Sequence, residues 1–284
     1  MGFHTFTKLY NAGVAPILEY SSGVWGYVKG EDIDHIQNRA MRYFLGVHRF
    51  TPIAGMHGDM GWVSHRLSRF IPLVRFWNRL LLMKDDRLTK KIFMWDYKQK
   101  NGWCSEISKI FHKLNLGQKF KDKQFCDLRE ITKKVNEAMG DQWKAEVEQK
   151  PKLRTYKLFK NEFKTSNSVF INNRSKRSLL SKFRLGILAL RIETGRWYQL
   201  IDADQRFCKI CNNGEVEDEK HFLMKCEIFS DLRQSLFDKC MLKNTRFDTL
   251  SELDKFIYIV NCQERDLADY IYLAWNRRRN CLYT

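Results

Sequence analysis

The spacing Cys208-x2-Cys211-x9-His221-x4-Cys226 constrains this chain more than any other feature. A two-residue gap lets both sulfurs of a tight knuckle face one point. The four-residue gap is expected to place His221 and Cys226 about one turn apart on a helix, on roughly the same face. Asn212-Asn213-Gly214 supplies the intervening turn. Three thiolates and one imidazole satisfy the tetrahedral preference of Zn²⁺, so one structural zinc is expected. Four protein ligands leave no position for a reactive water, and such a metal shapes a module without doing chemistry. The competing reading is a set of ordinary thiols and a solvent histidine. A lone CxxC would leave that reading open, whereas a matched His–Cys pair downstream is harder to obtain by accident.

The five other cysteines, Cys104, Cys126, Cys240, Cys262 and Cys281, lack short paired spacing. In a chain of 284 residues they read as reduced thiols of an intracellular protein, nuclear or cytoplasmic, and not as a disulfide framework. No apolar run approaches the length of a bilayer span, so no membrane partner is expected. A hydrophobic content of 44% is enough to build a core. The 50 basic and 33 acidic residues leave a formal charge of +17, which favours a polyanionic partner.

Only four prolines and fifteen glycines interrupt the chain, and almost every segment has helical periodicity. The fold class is therefore mainly α. Asp32 or Asp34 can cap a helix carrying Ile33, Ile36, Ala40, Tyr43 and Phe44, with Gly46 as its stop. Ser64 can open a long helix through Leu67, Phe70, Val74, Trp77 and Leu81, which Pro72 perturbs. Further helices are expected over 228–240, 250–260 and 267–281. Composition divides the chain into a helical region at 1–100, a helical connector at 101–150 and a basic C-terminal region at 151–284. The knuckle occupies about 206–227.

From Lys150 to Tyr198 the chain carries many cations and only two acids, Glu162 and Glu193. Phosphate contacts are expected from Lys176, Arg177, Lys182, Arg184, Arg191 and Arg196. Trp197 and Tyr198, beside Arg196, are candidates to stack on unpaired bases, whereas Phe159, Phe163 and Phe183 read as core. A solvated helix face is the plainer account of the same charges. Arg277-Arg278-Arg279 closes a helix and equally complements its macrodipole.

No catalytic constellation stands out. The sequence contains no HExxH, GxxxxGK[ST] or GxSxG, and the order of its cysteines and histidine departs from that of zinc deaminases. Asp85-Asp86 follows Met83-Lys84 at a helix junction, unlike the strand hairpin of polymerase aspartates. No catalytic residue is assigned.

The stretch Tyr10-Asn11-Ala12-Gly13-Val14-Ala15-Pro16-Ile17-Leu18-Glu19-Tyr20, followed by Gly23-Val24-Trp25, resembles the segment downstream of the catalytic palm in non-LTR (LINE-type) retrotransposon reverse transcriptases. The blocks Ile36–Val47, Gly61-Trp62 with Arg75–Leu80, Leu185–Trp197 and His221–Cys226 continue the resemblance in order. It covers both ends of the chain, and the middle is generic. The resemblance implies a thumb-like helical bundle followed by a region that holds RNA and single-stranded or target DNA. The family's palm motif, Phe/Tyr-x-Asp-Asp, is absent. The chain is accordingly expected to be a truncated reading frame, a gene fragment or a repurposed remnant, without polymerase activity of its own.

The leading expectation is a non-catalytic binder of RNA or single-stranded nucleic acid. A zinc-stabilised protein-interaction module, an enzyme working with a separately encoded palm polypeptide, and a nonfunctional relic are the alternatives.

Overall fold

A computed structural model of the chain describes residues 1–198 and 201–283. Helices of eight residues or more are α1 (Glu31–Leu45), α2 (Ile53–Met60), α3 (Phe70–Leu81), α4 (Leu88–Gln99), α5 (Trp103–Lys113), α6 (Leu128–Gln149), α7 (Arg174–Arg184), α8 (Arg191–Tyr198), α9 (Ser230–Lys243), α10 (Glu252–Cys262) and α11 (Glu264–Tyr283). Among the described residues there is no β-strand, and the β-type pairing is the isolated bridge Phe207–Val216. The mainly-α expectation holds. No described helix is long and apolar enough to cross a membrane.

The chain forms two compact units. The first comprises residues 1–4, 40–61 and 144–284, and the second residues 5–39 and 62–143. This partition cuts across the consecutive division read from composition, because residues 40–61 pack with the C-terminal half. Arg177 Nε donates to the Phe44 carbonyl at 3.1 Å, and Ser178 Oγ donates to the Gly46 carbonyl at 2.7 Å. The Tyr156 hydroxyl donates to the Gly55 carbonyl at 3.3 Å.

In the second unit, α3 places Phe70, Leu73, Val74, Trp77 and Leu80 on a buried face, at the spacing of an amphipathic helix. Trp77 is fully buried, with Phe93, Phe111 and Phe120 around it at ring separations of 5.3, 5.4 and 5.0 Å. The single helix expected from Ser64 is divided into a short turn, His65–Ser68, and α3. Pro72 sits in the first turn of α3, where a missing N–H leaves no intrahelical bond unmade. Tyr10, His65, Glu19 and Ser68 form a polar chain with links of 2.8, 2.6 and 2.6 Å.

In the first unit, α2 is buried along most of its length. Its Asp59 carboxylate, fully buried, accepts from Arg184 Nη2 at 2.9 Å, Arg184 Nε at 3.1 Å and Ser166 Oγ at 2.8 Å. Leu153, Tyr156, Leu180, Phe183, Phe222, Phe256 and Ile271 fill the core of this unit.

Candidate metal centre

The knuckle is built on a minimal hairpin. Cys208 N–H donates to the Glu215 carbonyl at 2.8 Å, and Glu217 N–H donates to the Arg206 carbonyl at 3.0 Å. Between these rungs the chain turns back through left-handed residues at Asn212 (φ 56°) and Gly214 (φ 68°). Cys208 and Cys211 are thereby brought to one side of the turn.

The second donor pair arrives differently from the helical expectation. Residues five apart on an α-helix stand about 140° apart around the axis, too far for one ion. His221–Lys225 instead forms a single π-helical turn, and Cys226 N–H closes it on the His221 carbonyl at 2.8 Å. Cys226 then leaves the helix (φ −53°, ψ 121°). The Asp218 carboxylate caps the start of the turn, accepting from His221 N–H at 2.8 Å.

One ligand atom from each of Cys208, Cys211, His221 and Cys226 lies within 4.8 Å of the others, a group able to hold one metal ion. Cys211 Sγ is 3.4 Å from His221 Nε2. His221 Nδ1 bonds Glu215 Oε2 at 3.0 Å, which orients the ring and leaves Nε2 directed at the sulfurs. Cys208, His221 and Cys226 are buried, and Cys211 is half-buried. Cys208 is the most readily ionised of the sulfurs. Hydrogen bonding from Cys226, working against burial and joined by His221, holds its pKa down at about 3. The same Cys208 hydrogen bond, together with burial, pushes the Cys226 thiol far up. Burial opposes protonation of His221, but the hydrogen bonds to Cys208 and Glu215 outweigh it and raise its pKa.

The knuckle is bolted into the first unit by buried carboxylates. Glu217 receives Arg278 through two bonds of 2.7 and 2.8 Å, and the Arg191 backbone N–H at 2.7 Å. Glu219, fully buried, accepts from Arg154 at 2.7 and 2.9 Å and from Thr155 Oγ1 at 2.8 Å. The Tyr270 hydroxyl donates to the Phe222 carbonyl at 2.8 Å, and Arg233 donates to the Cys226 carbonyl at 2.9 Å.

The cations expected to meet phosphate have separate fates. Arg177 and Arg184 are interior residues, which corrects the surface role expected of them. Arg177 is buried against the Phe44 ring and donates to the Phe44 and Ile171 carbonyls, while Arg184 is consumed by Asp59 and the Val260 carbonyl. Lys176 is half-buried and pairs with Asp269 at 2.6 Å, and Arg196 is half-buried and pairs with Glu193 at 3.4 Å. Lys182 and Arg191 are half-buried. Lys182 has no side-chain partner among the described residues, and Arg191 Nε has no hydrogen-bond partner. Trp197 is 49% exposed, and the Tyr198 side chain lies outside the described residues. In the C-terminal basic run, Arg277 and Arg278 are tied to Asp231 and Glu217, and Arg279 is exposed. Asp85 and Asp86 are exposed in the turn between α3 and α4, with no strand near them in sequence.

The phosphate contacts expected from the sequence all lie downstream of Lys150. Arg42 and His48, far upstream, belong to the same electrostatic neighbourhood as Lys152 and Lys182. The stretch 35–58 does carry a signal, since it holds Arg39, Arg42 and Arg49 and no acidic residue.

No protein-family model, no curated protein and no solved structure matches this chain.

Proposed function

We propose that the chain is a non-catalytic nucleic-acid-binding part of a LINE-type reverse transcriptase, acting in a reducing intracellular compartment. One structural zinc fixes the knuckle beside a cationic surface that takes RNA or single-stranded nucleic acid. The observation that carries this reading is the convergence of Cys208, Cys211, His221 and Cys226 on one point. Soft thiolates and an imidazole in a closed four-donor set suit zinc. A tetrahedral zinc with ordinary bond lengths separates its sulfur and nitrogen ligands by about 3.5 Å. The Cys211–His221 pair stands at 3.4 Å, and Glu215 behind His221 is a support common to zinc-bound imidazoles. The eight free cysteines are compatible with a reducing environment. Lys176, Lys182, Arg191, Arg196 and Trp197 are the expected contacts that remain at or near the surface.

Metal analysis of purified, reduced protein should give one zinc per chain. Affinity for a labelled single-stranded RNA should fall steeply with salt, with a log–log slope of about −0.7 for each phosphate neutralised. Absence of stoichiometric zinc would remove the knuckle. RNA affinity that stays flat as salt rises would remove the nucleic-acid role and leave a zinc-stabilised protein-interaction module.

A further inference from the structure

We infer that Arg42, His48, Lys152 and Lys182 form a phosphate-binding surface of the first unit, with Phe50 beside it as a stacking platform for a base of single-stranded RNA. This rests on the nucleic-acid reading above and names the surface that does the work, with Arg42, His48 and Phe50 outside the segment from which contacts were expected.

Two close backbone approaches assemble it. Gly46 follows α1 in the left-handed region (φ 66°), and a Cβ there would stand 2.7 Å from the Ser178 side chain. The Ser178 hydroxyl binds the Gly46 carbonyl at 2.7 Å. Lys182 lies one turn further along the same face of α7, so it follows Ser178 toward the 47–51 loop. Gly186 (φ 65°) ends α7 so close to the Lys152 carbonyl that a Cβ would be 2.0 Å from it. Three segments distant in sequence thus deliver Arg42, His48, Lys152 and Lys182 to one neighbourhood. The charges feel each other: burial first, then the positive charges of Lys152, Lys182 and Arg42, hold His48 below its usual pKa against the pull of Glu193.

The acid count does not match. Among the groups that act most on His48, Glu193 is the one carboxylate, buried and already shared by Lys152 at 2.7 Å and Arg196 at 3.4 Å. Arg42 Nε is buried without a hydrogen-bond partner, and Lys182 has no side-chain partner among the described residues. Burial lowers the pKa of both cations. Gathering half-desolvated cations such as Arg42 and Lys182 around one shared carboxylate costs stability, and a polyanion relieves that cost on binding. At the edge of the cluster, Phe50 is 65% exposed, and the Arg49 guanidinium lies over its ring at 4.7 Å. Its backbone N–H is anchored on His48 Nδ1 at 3.1 Å. An exposed aromatic ring held next to unpaired cations is the combination that single strands use, phosphate on charge and base on ring.

The test uses the full, zinc-loaded chain and a fluorescein-labelled oligouridine, read by anisotropy across a salt series. Lys182→Gln and Arg42→Gln should each weaken binding roughly fivefold to tenfold and make the salt slope shallower by about 0.7 for each phosphate no longer neutralised. Phe50→Ala should weaken binding about tenfold with the slope unchanged, since stacking releases no counterions. Thermal melts of each variant establish that the fold survives, and Lys239→Gln, an exposed cation elsewhere on the first unit, should leave both readings unchanged. If the wild-type chain binds oligouridine with steep salt dependence but folded Lys182→Gln and Arg42→Gln bind equally well, this surface is wrong while the nucleic-acid reading stands. If the wild-type chain binds no RNA, both fall. If duplex RNA binds as tightly as oligouridine and Phe50→Ala has no effect, the base platform is wrong.

Discussion

At the scale of single residues, the Asp59–Arg184 pair shows what burial does to charge. Burial alone would raise the Asp59 pKa, but Arg184, Lys160 and Ser166 outweigh it and the value is lowered. Removing the carboxylate leaves Arg184 charged in the core, so Asp59→Ala should cost about 3–5 kcal/mol, read from urea denaturation. The native state holds fewer protons than the unfolded chain around this group, so its stabilisation is fully present above the unfolded value of 3.8 and is lost as pH falls through the lower folded value. Wild-type stability minus that of Asp59→Asn should therefore shrink as the buffer is taken from neutral to strongly acidic. Glu219 behaves in the opposite sense. Burial outweighs Arg154 and Thr155 and raises its pKa, so Glu219→Gln should lose much less at neutral pH than Asp59→Ala. None of this was legible from local sequence. Arg184 reads as one more cation of a basic segment, and its partner lies 125 residues upstream. The Cys208, Cys211, His221 and Cys226 cluster was legible because its spacing carries the geometry, whereas the helical turn expected to join His221 to Cys226 is instead a π-helical turn.

At the scale of elements, periodicity was dependable and caps and boundaries less so: α1 starts at Glu31, ahead of the expected caps Asp32 and Asp34, and Ser64 makes no side-chain cap bond. The helix expected at 250–260 is α10, Glu252–Cys262, started by Ser251, whose hydroxyl accepts from Asp254 N–H at 3.2 Å. α7 is capped by Asn173, whose side chain accepts from Lys176 N–H at 3.1 Å. Asn173→Ala should therefore destabilise the first unit by about 1 kcal/mol, measured as a shift in its denaturation midpoint. Gly186 tests the other end of α7. An added Cβ would meet the Lys152 carbonyl in a backbone conformation already unfavourable to side chains, so Gly186→Ala should destabilise by more than the cap variant and displace Lys152 from Lys182. The helix expected from Ser64 is divided at Arg69, in the turn where Pro72 has no N–H to give the Ser68 carbonyl, so the perturbation expected of Pro72 appears as a break. At the break Arg69 is buried, and its Nε donates to the His65 carbonyl at 3.1 Å.

At the scale of the whole molecule, the Cys/His cluster is a fixture of the first unit and not a free-standing bead. Glu217 and Glu219 tie it to α11, α8 and the 154–155 segment. Structural zinc contributes about 10–16 kcal/mol of apparent binding energy in small zinc fingers. Chelation, or Cys211→Ser, should therefore loosen residues 40–61 and 144–284 together, while residues 62–143 keep their amide protection in hydrogen-exchange mass spectrometry. Loosening confined to 206–227 would show the carboxylate ties to be weak. The interleaving of the two units also has a consequence during synthesis. A ribosome adds roughly 5–20 residues per second, so the Asp59 carboxylate waits roughly 6–25 seconds for Arg184 to be polymerised, 125 residues later. Residues 5–39 and 62–143 can close as soon as position 143 clears the exit tunnel, whereas residues 40–61 stay exposed to chaperones until α11 emerges.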